Sequence, residues 1–205
     1  VILAGSAAVR AGASWALTRF AQRLKIPVVN TMMAKGIVSC DSRYAMMTIG
    51  IPQRDYVNKI VEEADLIIAV GYDIVEFSPE KWNPTGSTAI LHISTAPADI
   101  NKNYQCEVEV VGDISHSLES ILEGTARENE PLRALELKAR FQKEKAESEA
   151  DVSFPMKPQR ILSDVRKALG REDILISDVG AHKMWIGRLY ECFEPNTCII
   201  SNGFA

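Results

Sequence analysis

A-D-L-I-I-A-V-G-Y-D-I-V-E-F-S-P-E-K-W, residues Ala64 to Trp82, is the stretch whose reading decides the fold. Leu66 to Val70 is an unbroken apolar run rich in Ile and Val, closed by Gly71 and followed by Asp73. A strand covered by helices on both faces keeps no polar alternation, so this run predicts a strand at the centre of a parallel sheet. Ligands of open α/β sheets gather outside the carboxyl ends of such strands, which makes the loop Gly71 to Pro84 the first place to look for chemistry.

Outward from this strand the chain alternates. Val1 to Ala4 predicts a strand ending in the small-residue turn Gly5-Ser6-Ala7-Ala8. Ala13 to Leu24 predicts a helix with Ala13, Ala16, Leu17, Phe20, Ala21 and Leu24 on its inner face. A strand, a turn and a helix N-terminus make an anion-binding geometry, yet these glycines do not follow G-x-G-x-x-G, and close strand-to-helix packing explains them equally well. Pro27 to Thr31 and Met46 to Ile51 predict two more strands. In the loop between them Lys35-Gly36 either approaches a ligand or forms a turn with glycine at positive φ.

A helix over Asp55 to Glu63, with Tyr56, Val57, Ile60 and Val61 inward, leads into the central strand. Beyond it the pattern predicts a strand Thr88 to Ile93, a short helix Ala96 to Lys102, a strand Val108 to Val111 and a helix Asp113 to Leu122 capped by Asp113 or Ser115. The alternation over residues 1–122 implies a doubly wound parallel sheet of the α/β class. His92 falls in a strand and His116 in a helix, neither with a partner carboxylate or a second ligand at metal spacing, so both read as structural or solvated rather than catalytic.

From Gly124 to Asp151 the composition shifts to charge, and Leu132, Leu135, Leu137, Ala139 and Phe141 mark one helix with a solvated Lys/Glu face. Residues 124–156 read as a connector between a domain over 1–123 and a second over 157–205. The second contains a helix Gln159 to Leu169, a strand Asp173 to Ser177, a turn Asp178-Val179-Gly180, a helix Ala181 to Tyr190 and a strand Thr197 to Ser201. Two parallel strands cannot bury both faces, so a partial α/β domain is expected here. Val1 begins in mid-strand without a methionine, as expected of a piece of a longer protein.

The 205 residues are 46% hydrophobic and 24% charged with a net charge of -4, enough for a sizeable core and without the basic field that nucleic acid binding requires. No apolar run has the length of a membrane span, and the opening residues lack the marks of a signal peptide. Cys40, Cys106, Cys192 and Cys198 form no C-x-x-C pair, which argues against a zinc site or a disulfide framework and for a reduced, cytoplasmic protein.

The turn D-V-G-A-H-K-M-W, Asp178 to Trp185, places small residues and a histidine at a helix N-terminus. The N–H groups of Gly180 and Ala181, with His182 as a further donor, are suited to a diphosphate. Ser201-Asn202-Gly203 ends the neighbouring parallel strand on the same sheet edge, so the two turns can share one cofactor. On spacing alone, His182 as a helix cap with Met184 and Trp185 in the core is the competing reading.

The run I-S-D-V-G-A-H-K-M-W, followed by E-P-N-T-C-I-I-S-N-G-F-A, resembles the opening of the diphosphate-binding (PP) domain of thiamine diphosphate enzymes. Residues 1 to about 122 resemble the Rossmann-like, six-stranded central domain of the same enzymes. G-Y-D-I-V-E-F-S-P-E-K-W-N, D-V-G-A-H and S-N-G are most similar to the acetolactate synthases, the catabolic type above all. The resemblance implies a homodimeric or homotetrameric carboligase that uses thiamine diphosphate and Mg to decarboxylate pyruvate and join the product to a second pyruvate, giving 2-acetolactate and CO2 for branched-chain amino acid or acetoin metabolism. It places Gly180, Ala181 and His182 at the diphosphate and Ser201, Asn202 and Gly203 near the aminopyrimidine. It places no catalytic residue and no metal ligand within these 205 residues.

In flavin-dependent relatives the equivalent of the central strand is followed by an R-F-D-D-R-V-T-G type sequence. Here Y-D-I-V-E-F-S-P stands instead, without either arginine, which implies the branch that lacks FAD and leaves Glu76 and Trp82 to domain packing. Pyruvate oxidases and sulfoacetaldehyde acetyltransferases share the fold and differ in acceptor; a nucleotide-binding module without catalysis is the remaining alternative.

Overall fold

The computed structural model describes residues 1–51, 55–126 and 128–201. Six parallel strands form the main sheet: β1 (Ile2–Ala4), β2 (Val28–Asn30), β3 (Ala45–Thr48), β4 (Leu66–Val70), β5 (Ala89–Ser94) and β6 (Val108–Val111). Their order is β3-β2-β1-β4-β5-β6, the doubly wound arrangement whose direction of progression reverses between β1 and β4. The stretch Leu66 to Val70 is therefore central, with Ile68 beside Ile2 on one side and Leu91 on the other.

Successive residues of these strands feed two cores. Ile2, Ala4, Ile68 and Val70 point into one, formed with α1 (Ser6–Arg10), α2 (Ser14–Leu24) and α4 (Ile114–Gly124). Leu3, Ile67 and Ala69 point into the other, formed with α3 (Tyr56–Glu62) and α5 (Leu132–Glu149). The strand period of two survives, but both phases are apolar because both faces are covered. Tyr56, Val57, Ile60 and Val61 are the buried residues of α3, as its spacing predicts.

Two predicted elements differ. Gly5-Ser6-Ala7-Ala8 is no open turn: Ser6 begins the five-residue helix α1, and Ala7 donates its N–H to the Gly71 carbonyl at 3.0 Å. Ala96 to Lys102 forms no helix but an irregular strap closed by the Asn101–Tyr104 bridge. Pro97 supplies no N–H, and the strap is anchored by tertiary bonds to His92 and Glu109 instead. At α4 it is Asp113 that caps, accepting the His116 N–H at 2.8 Å.

A second, two-stranded parallel sheet joins β7 (Leu175–Ser177) and β8 (Cys198–Ile200). Helices α6 (Pro158–Ala168) and α7 (Ala181–Leu189) pack on it around Ile186, Tyr190, Cys192, Cys198 and Ile200, leaving Ile176 and Ile199 exposed on the other face. Met32, from the β2–β3 connection, packs into this third core and ties it to the main sheet. No helix among the described residues is long and apolar enough to cross a membrane.

Candidate functional site

Two strand-to-helix turns offer backbone N–H groups at the carboxyl edge of a sheet, and the structure treats them differently. At the switch point between β1 and β4 the donors are already satisfied from within the chain. The Glu76 carboxylate accepts the Ser6 N–H at 2.9 and 3.1 Å, the Ser6 hydroxyl at 3.0 Å and the Thr31 hydroxyl at 2.6 Å. Arg10 in turn donates to the Ser6 hydroxyl at 2.9 Å.

The crevice itself is closed by backbone. A Cβ on Gly5 would lie 2.4 Å from the Gly71 carbonyl oxygen and from Tyr72 Cα, and one on Gly71, whose φ is +58°, would lie 2.1 Å from Ala8 N. Only two glycines allow β1 and β4 to end in such contact. The loop after Gly71 then folds inward, where Trp82, 2% exposed, donates Nε1–H to the Tyr72 hydroxyl at 3.2 Å and packs edge-on against Tyr72 and Tyr104. Burial raises the pKa of both tyrosines well above the phenolic range, so they act as neutral hydrogen-bonding groups. His92 is held by the Tyr104 hydroxyl at 2.8 Å and the Ala96 carbonyl at 3.3 Å, a structural role, while His116 is exposed on α4.

The end of β7 differs. Gly180, the N-cap of α7, has no side chain to cap the helix, and Gly180, Ala181 and His182 are all exposed among the described residues. Gly180 has φ +152°, and a Cβ there would come within 2.7 Å of the His182 ring, so the glycine lets the imidazole lie over the turn. The Ser201 N–H donates to the Ser177 carbonyl at 2.9 Å, bringing the end of β8 beside the turn that follows β7. Gly180, Ala181, His182 and Ser201 thus share one sheet edge; Asn202 and Gly203 lie outside the described residues. Met184 and Trp185 are half-buried on the flank of α7.

The position of α7 is set from the main sheet, a feature for which the sequence carries only the Lys35-Gly36 turn as a signal. Lys35 is buried and donates to the Gly187 carbonyl at 3.0 Å. Gly36, at φ +87°, lies against the Glu194 carbonyl, and the Cys40 N–H donates to the Cys192 carbonyl at 3.0 Å. Asp55, the N-cap of α3, lies 3.7 Å from Arg188 of α7, and burial raises its pKa to about 6. A cleft of about 720 Å³ runs along the flank of α7. Its lining sets Glu144, Glu147 and Asp151 against Lys145, Lys157 and Arg188, so it carries no net charge to attract an anion. Among the described residues no cluster of His, Cys, Asp or Glu is arranged to hold a metal.

A six-stranded sheet with the β3-β2-β1-β4-β5-β6 order, joined to a strand-turn-helix unit with glycine at the helix N-cap, defines the class. Residues 1–121 match the family described as thiamine pyrophosphate enzyme, central domain, and the chain belongs to that family. It is 30% identical to the acetolactate synthase of Bacillus subtilis over 99% of its own length and 36% of that protein. It is 32% identical to a probable acetolactate synthase large subunit of Methanocaldococcus jannaschii over 99% of its length and 36% of that protein. With the catabolic acetolactate synthase of Raoultella terrigena it shares 29% identity over 76% of its length and 28% of that protein. The chain therefore spans about a third of the length of the curated relatives it matches.

Proposed function

We propose that these residues are part of an acetolactate synthase, which joins two molecules of pyruvate into 2-acetolactate with loss of CO2, using thiamine diphosphate held through Mg. The relatives named above support the reaction. One observation supports the site: at the first turn Glu76 takes the Ser6 N–H and the Gly71 carbonyl takes the Ala7 N–H, whereas Gly180 and Ala181 at the second are exposed among the described residues, with a glycine and no capping side chain at the N-cap.

In this reading the N–H groups of Gly180 and Ala181 bind the diphosphate and His182 adds a donor above it, with the positive end of α7 favouring the negative charge. Ser201, Asn202 and Gly203 orient the aminopyrimidine. Bound there, the cofactor's thiazolium ring supplies the electron sink for decarboxylation, while the protein supplies binding and orientation. The chain divides into a central domain over 1–123, a connector over 124–156 and the start of the PP domain over 157–205, within a cytoplasmic homodimer or homotetramer.

FAD is absent in this proposal. What supports its absence is Glu76: a carboxylate on the Ser6 N–H repels a dinucleotide's diphosphate and holds the donors that such a diphosphate uses in doubly wound folds. Purified full-length protein is expected to form acetolactate from pyruvate with thiamine diphosphate and Mg, without phosphate or oxygen; no acetolactate sinks the proposal. Flavin absorbance at about 450 nm, on the order of one per chain, overturns its flavin-free part.

A further inference from the structure

Lys35 is 3% exposed, and its Nζ donates to two neutral oxygens, the Gly187 carbonyl at 3.0 Å and the Thr48 hydroxyl at 3.5 Å. Burying an ammonium group is expensive unless its hydrogen bonds are specific. A methionine would fill the same space without that expense, so packing alone does not account for a lysine here. Its main acceptor is informative. Gly187 is in the last turn of α7, where carbonyls have no intrahelical partner, and a cation there complements the helix dipole.

The contact is directional and crosses the molecule: 152 residues separate donor from acceptor. Around it the two surfaces fit without slack. A Cβ on Gly187 would sit 3.0 Å from Ile51 Cδ1 and 3.7 Å from Met32 Cε, and one on Gly36 would sit 2.2 Å from the Glu194 carbonyl oxygen. Arg188, the next residue of α7, faces Asp55 at 3.7 Å. These contacts hold the C-terminal half of α7 in one register against the β2–β3 connection. The N-terminal end of the same helix, at Gly180 and Ala181, lies about 9 Å further along its axis at 1.5 Å per residue.

We infer that Lys35 is a positioning residue for the cofactor turn. By fixing α7 through Gly187, it aims the N–H groups of Gly180 and Ala181 at the diphosphate without touching the cofactor itself. This rests on the reading that the turn binds thiamine diphosphate.

The test uses the full-length protein and its Lys35→Met and Lys35→Gln variants. Thiamine diphosphate affinity is measured by calorimetry in the presence of Mg, and the cofactor-free unfolding midpoint is measured alongside. Lys35→Met is expected to bind about tenfold more weakly, raising the KM for thiamine diphosphate while kcat at saturating cofactor stays within about twofold. Lys35→Gln keeps a donor and is expected to lie between Lys35→Met and the wild type. A purely structural lysine would shift the unfolding midpoint and leave the affinity of the folded protein unchanged. A folded Lys35→Met protein that binds as tightly as wild type overturns the role. Should Lys35→Met not fold, Lys35→Gln decides, and wild-type affinity there overturns it equally. A wild type that does not bind thiamine diphosphate overturns the underlying reading instead.

Discussion

The carboxylate of Glu76 receives the backbone N–H of Ser6 at 2.9 Å, joining the loop after β4 to the first residue of α1 across 70 positions of sequence. With the Thr31 hydroxyl at 2.6 Å, it pins the carboxyl ends of β1, β2 and β4 to one point. Replacing Glu76 by Ala strands three donors in a half-buried site, and a charge-assisted bond of this kind is worth about 1.5–3 kcal/mol. Glu76→Ala is expected to lower stability by about 2–3 kcal/mol in urea unfolding, and Glu76→Gln by less than half of that. An unchanged midpoint in the alanine variant would remove Glu76 from the architecture of the crevice.

The crevice also depends on glycine. Gly71→Ala places a Cβ 2.1 Å from Ala8 N at a φ of +58°, a clash with backbone that no rotamer relieves. Loss of about 1–3 kcal/mol or more is expected. Gly112→Ala is the control, since nothing lies within 4 Å of its Cβ position, and its effect should stay within about 0.5 kcal/mol. Equal effects for the two variants contradict the close approach of β1 and β4.

Asp55 makes stability depend on pH. Its pKa rises from 3.8 to about 6, because burial penalises the carboxylate more than Arg188 and the Val57 N–H favour it. The folded state then binds the proton more tightly than the unfolded chain, so this group's contribution is greatest below about pH 4 and is lost as pH rises through about 6. Asparagine can still cap α3 but carries no charge. Asp55→Asn should therefore gain on wild type between pH 4 and pH 7 by no more than about 3 kcal/mol, measured as the difference of two urea titrations. A stability difference that does not change with pH disproves the assignment.

Gly180→Ala tests the turn at some expense in stability, because φ +152° with ψ -178° is a backbone conformation that L side chains rarely adopt. Its Cβ would meet His182 Cε1 at 2.7 Å and Nδ1 at 2.8 Å and drive the ring off the turn. Thiamine diphosphate affinity of the folded protein is expected to fall at least about tenfold, roughly the loss of one charge-assisted contact, alongside a stability loss of about 1–3 kcal/mol from the backbone strain. Undiminished affinity places the diphosphate elsewhere.

Much of this architecture is legible one stretch at a time. Leu66 to Val70 and Val108 to Val111 are strands with the predicted bounds, and the four inward residues of α3 are the predicted ones. Such features follow from local composition and periodicity, which the chain carries whatever it later packs against. α1 was less visible, because three small residues after a glycine read as a turn until the Gly71 carbonyl takes the Ala7 N–H. The strap at Ala96 to Lys102 has helical composition, yet bonds from elsewhere in the fold hold it irregular.

The sequence by itself determined the α/β class, the central place of Leu66 to Val70 and the likeness of D-V-G-A-H and its surroundings to a diphosphate-binding turn. Only the tertiary structure decided that the first turn is filled by Glu76 and that Lys35 reaches α7. The reason is physical: a strand or helix is written in the spacing of neighbouring residues. A carboxylate and its donors, or a lysine and its carbonyl, meet only after the chain has crossed the sheet, 70 and 152 positions away.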